Sequence, residues 1–327
     1  MIIGAIKEHN NNETRCALTP SVVKKLTQLG HTIILQKNIG TKSNYYDFQY
    51  KQSGATLSSS VEDIYTKSQI ILQINPPQSM FFNLLKKKQL LIADFSNFEF
   101  INTNKLPQII RLEKVPRTSI AQTIDILSSQ HTVRGYMGAM YALYHSPIIA
   151  PQLTTASTSI KASSALIIGA SITGLQAATI FKKQGCKVTI LDINENNKEL
   201  TQSVGANFAI ASSSEEIINL IKNQNFILSA ASNNNIAPKI IYPDFLQHLN
   251  NFSIIIDTTP NNIAILKNKE KTNRYLFYRN LQFETLCPTT ASELWANNML
   301  NLINTISKPN NQLDLSYDYI SKMIYKG

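Results

Sequence analysis

A chain of 327 residues, 43% hydrophobic and only 16% charged, is long enough for about two domains with their own cores and too apolar to be a disordered one. No apolar run approaches the roughly 18 residues of a bilayer span. The opening MIIGAIKEHNNNE lacks the basic, apolar and small-residue order of an export signal, so a soluble protein with no direct membrane span is expected.

The formal charge is +10, from Lys+Arg 31 against Asp+Glu 21. The bases are dispersed and the one tight run, Lys86 to Lys88, is short, which reads as solvated surface with no nucleic-acid partner. Cys16, Cys186 and Cys287 are too few and scattered for a disulfide framework, and with the five histidines spread out no metal site is expected. Reduced thiols in a cytosolic protein are the simplest reading.

Short apolar runs alternate with helical patterns, the mark of an α/β fold with mainly parallel sheets. Met1 to Ile6 reads as a strand. Thr19 then supplies an N-cap, Pro20 suits the first helical position and Gly30 is a C-terminal stop; Val22, Val23, Leu26 and Leu29 share one face between them. Strands follow at Thr32 to Gln36, Gln69 to Ile74 and Leu90 to Phe95. A long helix is predicted from Ile120 to about His145, then a loop over Pro147 to Ser164. A second α/β unit begins at Ala165, with strands at Ala165 to Ile168, Lys187 to Leu191, Phe226 to Ser229, Ser253 to Ile256 and Tyr275 to Tyr278. Ser292 to Ser307 reads as a closing helix.

The most specific chemistry lies in L166-IIGASITGLQAATIF and in C186-KVTILD, which read strand, tight turn, helix, strand, acid. Gly169 permits the sharp turn and Gly174 lets the helix lie close to the strand. The first helical N–H groups, at Ile172 and Thr173, would face a pyrophosphate favoured by the helix dipole. Asp192 ends the second strand, where a carboxylate accepts hydrogen bonds from ribose hydroxyls and repels a 2′-phosphate, favouring NAD(H). Ser171 stands where the fingerprint has its middle glycine, and its side chain is expected to crowd the pyrophosphate.

Two further segments, KEHNNNETRCALTP from Lys7 and VPRTSIAQTIDILSS from Val115, together with PTTASELW from Pro288, resemble the soluble NAD(H)-binding domain of proton-translocating NAD(P) transhydrogenase alpha subunits. That family shares its fold with alanine dehydrogenase. The resemblance implies that Arg117, Gln122 and Asp125 form the family's catalytic loop over the nicotinamide. Arg117 and Asp125 would hold the carboxamide and ribose, Ser128 would bond nearby, and Gln122 would lie near the approach of a second nicotinamide. Asn280 matches a nicotinamide-side segment. By spacing alone, Gln122, Asp125 and Ser128 recur every third residue, so a helix would present them on one polar face.

The alanine-oxidising branch needs proton transfer. By the resemblance its lysine, histidine and aspartate correspond to Asn75, Ser96 and Asn261, none of which titrates near neutrality. Arg15, the carboxylate partner of that branch, is retained, but N-E-T-R occurs in both. Direct hydride transfer needs only two rings held close and dry. The segment from Ser203 to Pro238 is shorter than the family's, its mobile loop reduced to SAASNNNIAP, and Thr258 to Asn262 replaces a glycine pair.

The resemblance thus implies two Rossmann-like α/β domains flanking a cleft, one built from residues 1–127 plus 289–327 and a dinucleotide domain over 128–288. It implies hydride transfer from NADH to NADP⁺ held on a separate beta-type subunit, coupled to proton translocation by a membrane part. The expected setting is a homodimer in the cytoplasm, peripheral to the inner membrane through its partner subunits. An alanine-dehydrogenase-like enzyme and a degenerate non-catalytic NAD-binding subunit are the alternatives.

Overall fold

The computed structural model describes residues 1–96, 98–100, 106–232, 237–265, 267–308 and 312–325. It divides into two compact units, Met1–Gln130 with Thr285–Gly327, and His131–Glu284.

Unit 1 opens with β1 (Ile2–Ala5), α1 (Pro20–Gln28) and β2 (Thr32–Gln36). α2 (Asp47–Gln52), β3 (Thr56–Ser58), α3 (Val61–Lys67), β4 (Ile70–Leu72), α4 (Ser79–Phe82), β5 (Leu90–Ala93) and β6 (Gln108–Arg111) follow. The six strands form a sheet in the order β3-β2-β1-β4-β5-β6, every pair parallel. Such a sheet is covered on both faces, so its central strands are continuously apolar rather than alternating; every residue of β4 and of β5 is buried. Pro20 starts α1, whose Val22, Val23 and Leu26 face the core. Thr19 holds the N-cap position by its backbone but makes no side-chain cap bond; its hydroxyl meets that of Ser21 at 3.1 Å instead.

The long helix α5 (Ile126–His145) starts later than the apolar pattern predicts. Gln122–Ile124 is a separate 3₁₀ turn, and Asp125, with φ −75 and ψ 92, leaves helical geometry. The Asp125 carboxylate accepts the Ser128 N–H at 3.0 Å, which is how an N-cap residue begins a helix. Gln122, Asp125 and Ser128 therefore do not share a helical face.

Unit 2 carries most of α5. Part of the stretch expected to be a loop forms a small antiparallel hairpin of β7 (Leu153–Thr154) and β8 (Ser159–Ile160). Next come β9 (Ser164–Ile168), α6 (Ile172–Lys183), β10 (Lys187–Leu191), α7 (Lys198–Ser203), β11 (Asn207–Ala209), α8 (Ser214–Ile221), β12 (Phe226–Ser229), β13 (Ser253–Asp257), β14 (Lys269–Lys271) and β15 (Tyr275–Arg279). The sheet order is β11-β10-β9-β12-β13-β15-β14. Its pairs are parallel except for β14, which joins the edge antiparallel to β15. Alternate residues of one strand feed opposite cores: Ala165 and Ile167 of β9 pack with Phe181 of α6, while Leu166 and Ile168 pack with Phe245 and Phe277.

The chain then returns to unit 1 through α9 (Pro288–Ile306) and α10 (Asp318–Ser321). α9 begins at Pro288, four residues before the predicted Ser292, because proline at the first helical position costs no hydrogen bond. Trp295, Met299, Leu302 and Ile303 of α9 join Val22 and Leu26 of α1 in one core. Burying each such side chain contributes about 1.5–3 kcal/mol, so the C-terminal helices are integral to the first unit.

Candidate functional site

In unit 2, β10 and β11 lie on one side of β9 and β12, β13 and β15 on the other. The strand order reverses between β9 and β12, and at such a switch point the carboxyl ends of the strands open a ligand crevice. The turn after β9 is built to stay narrow. Gly169 has φ +95, and a Cβ there would stand 2.7 Å from the Ala231 Cα and 2.8 Å from its nitrogen. A Cβ on Gly174 would collide with the Gly169 carbonyl oxygen, so the start of α6 can approach the turn only with glycine there.

Ser171 is the N-cap of α6. Its hydroxyl donates to the Ala230 carbonyl at 2.9 Å and accepts the Gly174 N–H at 3.3 Å. The side chain is thus committed to the wall of the turn, which removes the reason for expecting it to crowd a phosphate. Ile172 and Thr173 follow as the first two helical residues, whose N–H groups have no acceptor within the helix. Asp192 comes directly after β10 and is half-buried. One carboxylate oxygen accepts the Ala170 N–H at 2.7 Å and the other the Asn194 N–H at 2.8 Å. Both oxygens keep a lone pair for a further donor. Asn280 follows β15; its N–H donates to the Asp257 carbonyl at 3.1 Å and its side-chain oxygen accepts the Gln282 N–H at 2.8 Å. A glycine-backed turn, two orphan helical amides and a fixed carboxylate fit the pyrophosphate and ribose of a dinucleotide. The centre of the SAASNNNIAP loop, residues 233–236, lies outside the described residues.

Sequence reading missed a polar network beside this turn. Asp257 is fully buried and Arg279 nearly so, with an ion pair of 2.7 Å. The other Asp257 oxygen accepts the Ser229 hydroxyl at 3.0 Å and the Thr259 hydroxyl at 2.7 Å. Asn262, also fully buried, accepts the Ser229 hydroxyl at 2.8 Å and the Ala231 N–H at 2.9 Å. The legible signal was that the buried strands β12 and β13 end on Ser229 and Asp257, and β15 ends on Arg279.

In unit 1, Arg117 and Gln122 are exposed and Asp125 is buried. The Asp125 carboxylate is taken up by the Ser128 N–H and hydroxyl, and among the described residues it forms no ion pair with Arg117. A second buried cluster lies near the chain start. The Arg15 guanidinium bonds Glu13 through Nε at 2.8 Å and Nη2 at 2.7 Å, and Gln130 through Nη1 at 2.8 Å. It also lies 5.4 Å from the centre of the Trp295 ring.

Asn75, Ser96 and Asn261 do not titrate, yet the structure sets a carboxyl beside two of them. Glu8 accepts the Ile74 N–H at 2.8 Å and the Asn75 side-chain amide at 3.0 Å. Burial outweighs these bonds and pushes its carboxyl up to about 7. Asp94 accepts the Ser96 hydroxyl at 2.6 Å, and burial raises its carboxyl above the usual range. Asn261 is exposed.

Two family models match nearly the whole length: alanine dehydrogenase/PNT, N-terminal domain, over residues 4–134, and the C-terminal domain of the same family over residues 139–326. The chain belongs to the alanine dehydrogenase/PNT family. Within that family it is 33% identical over 226 residues to the first of the divided NAD(P) transhydrogenase alpha-subunit chains of Rickettsia prowazekii, covering 66% of this chain and 59% of the relative. It is 26% identical over 347 residues to the NAD(P) transhydrogenase subunit alpha of Haemophilus influenzae, covering 94% of this chain and 66% of that one. The chain therefore matches less than two thirds of the length of either relative. The fold is that of a solved transhydrogenase from Sinorhizobium meliloti, with a TM-score of 0.91 at 23% identity over 99% of this chain and 98% of that one.

Proposed function

We propose that this chain is the NAD(H)-binding alpha subunit of a transhydrogenase, passing hydride from NADH to NADP⁺ held on a beta-type partner subunit. The observation that carries the reading is the turn at Gly169 to Gly174, with the Ile172 and Thr173 amides at its helical end and Asp192 fixed on the Ala170 N–H. Those amides would bind the pyrophosphate, and Asp192 would take the adenosine ribose hydroxyls and disfavour a 2′-phosphate. Arg117, Gln122, Asp125 and Ser128, with Asn280, are proposed as the nicotinamide-side residues. Bound NADH supplies the hydride; the chain's own role is to orient the ring and exclude water.

Acid–base chemistry on an amino acid is the poorer reading. Arg15 already spends its fork on Glu13 and a third donor on Gln130, so a substrate carboxylate would have to displace a buried ion pair. Glu8 has both oxygens engaged by the Ile74 and Asn75 amides, which suits a structural staple better than a proton shuttle.

Among the described residues no helix is long and apolar enough to cross a membrane. In this reading, coupling to proton translocation, attachment at the cytoplasmic face of the inner membrane and NADP(H) binding belong to partner subunits, and the chain itself to a homodimer. Calorimetric titration with NADH tests the reading, with binding expected in the micromolar range, about −8 kcal/mol. Addition of the beta-type subunit should then give NADH-dependent reduction of NADP⁺. No heat with NADH, or NADH formation from alanine and NAD⁺ by this chain alone, would overturn it.

A further inference from the structure

Three residues that end adjacent strands of unit 2 stand in one row. Ser229 pairs in register with Asp257, and Asp257 with Arg279. Apolar side chains could close these strands without burying charge. A buried ion pair must recover its desolvation cost through good geometry and added hydrogen bonds, so it is weak as a stabiliser by itself. Here the geometry is complete. Arg279 meets Asp257 through Nε at 3.0 Å and Nη2 at 2.7 Å, and it also donates to the carbonyls of Ile263 and Ile265.

The pair fastens a chain of contacts that ends at the glycine turn. Asp257 holds the hydroxyls of Ser229 and Thr259, and the Thr259 hydroxyl accepts the Asn262 N–H at 3.1 Å. The Asn262 side chain takes the Ala231 N–H at 2.9 Å and donates to the Pro238 carbonyl at 2.8 Å. Ala231 is the residue whose backbone abuts Gly169, and Ala230 accepts the Ser171 hydroxyl. Ser171, the Ala230–Ala231 backbone, Thr259 and Asn262 are thereby linked in space.

We propose that Arg279, Asp257 and Asn262 are positioning residues that hold the Ala230–Ala231 backbone against the glycine turn, so that the β12 side of the nucleotide crevice is built before NADH arrives. None of the three is assigned a contact with the nucleotide; they act through the backbone of Ala230 and Ala231. The inference rests on the NADH-binding reading above. Its benefit is preorganisation, since a wall already in place need not be ordered on binding.

The test uses the full chain, with NADH titrated by calorimetry well below the melting temperature recorded by circular dichroism. Arg279→Met keeps an apolar stem but leaves Asp257 buried and unpaired, and Asn262→Ala frees the Ala231 N–H. Each should raise the Kd at least about tenfold while remaining folded, the scale of one lost buried hydrogen bond to a charged or fixed group. Arg279→Lys keeps the charge and loses the fork, and should fall between at roughly threefold. If Arg279→Met does not fold, Asn262→Ala decides by the same measure. Folded variants that melt earlier but bind NADH within about twofold of the unaltered chain would overturn the positioning role and leave the binding reading standing. An unaltered chain that binds no NADH overturns both.

Discussion

Replacing Glu8 with glutamine isolates a carboxyl of unit 1 that burial holds near neutrality. Burial raises this carboxyl from 4.5 to about 7, so between those values the folded chain holds a proton that the unfolded chain has released. The unfolded state then binds fewer protons, and stability falls with rising pH. The contribution is complete below pH 4.5 and is lost as pH rises through about 7. The slope is about 1.4 kcal/mol per pH unit, or roughly 3 kcal/mol across the window. Asp94 is shifted in the same direction and adds its own slope, so the difference between the two proteins is the informative quantity. Glutamine cannot titrate. Glu8→Gln should flatten the curve over this window whatever its absolute stability, which will drop because one amide acceptor is lost. Trp295 is the sole tryptophan and lies in unit 1, so urea unfolding followed by its fluorescence reports the right unit. Identical slopes in the two proteins would refute the assignment.

Three further outcomes are expected. Gly169→Ala forces a side chain onto a residue at φ +95 and into the Ala231 backbone, so NADH binding should be lost and the melting temperature of unit 2, read by circular dichroism, lowered by the equivalent of about 1–3 kcal/mol. Asp192→Asn removes a charged acceptor and should weaken NADH roughly 10–100-fold by calorimetry while narrowing the preference over NADPH; an unchanged preference would count against the ribose role. Gln122→Asn should lower the rate of NADP⁺ reduction in the assembled enzyme while leaving the NADH Kd within about twofold.

The parallel sheets were legible because their strands are runs such as LLIA and SIIID, too apolar for any surface and too short for a helix. The glycine turn was legible because its chemistry is local: Gly169, Gly174 and Asp192 are dictated by steps along one strand, one turn and the next strand. The start of α5 was misread because Asp125 is both three residues from Gln122 and a helix-starting acid, and spacing alone does not reveal which use prevails. The edge strands β3, β11 and β14 are three residues each and carry too little periodicity to be found. The Asp257–Arg279 pairing was not legible for a different reason: the polar strand ends can be read, but the two residues are 22 apart, and only the sheet register sets them side by side.

The last strand of the second sheet has a consequence for how the protein behaves when concentrated. Any open sheet margin is an invitation for a stray polypeptide to add itself by main-chain bonding. Here the margin is β14, antiparallel to its neighbour and reading Lys-Glu-Lys over Lys269–Lys271. A newcomer would find only three residues to grip and would have to dehydrate two outward ammonium groups to do so, which makes this border a poor seed for aggregation.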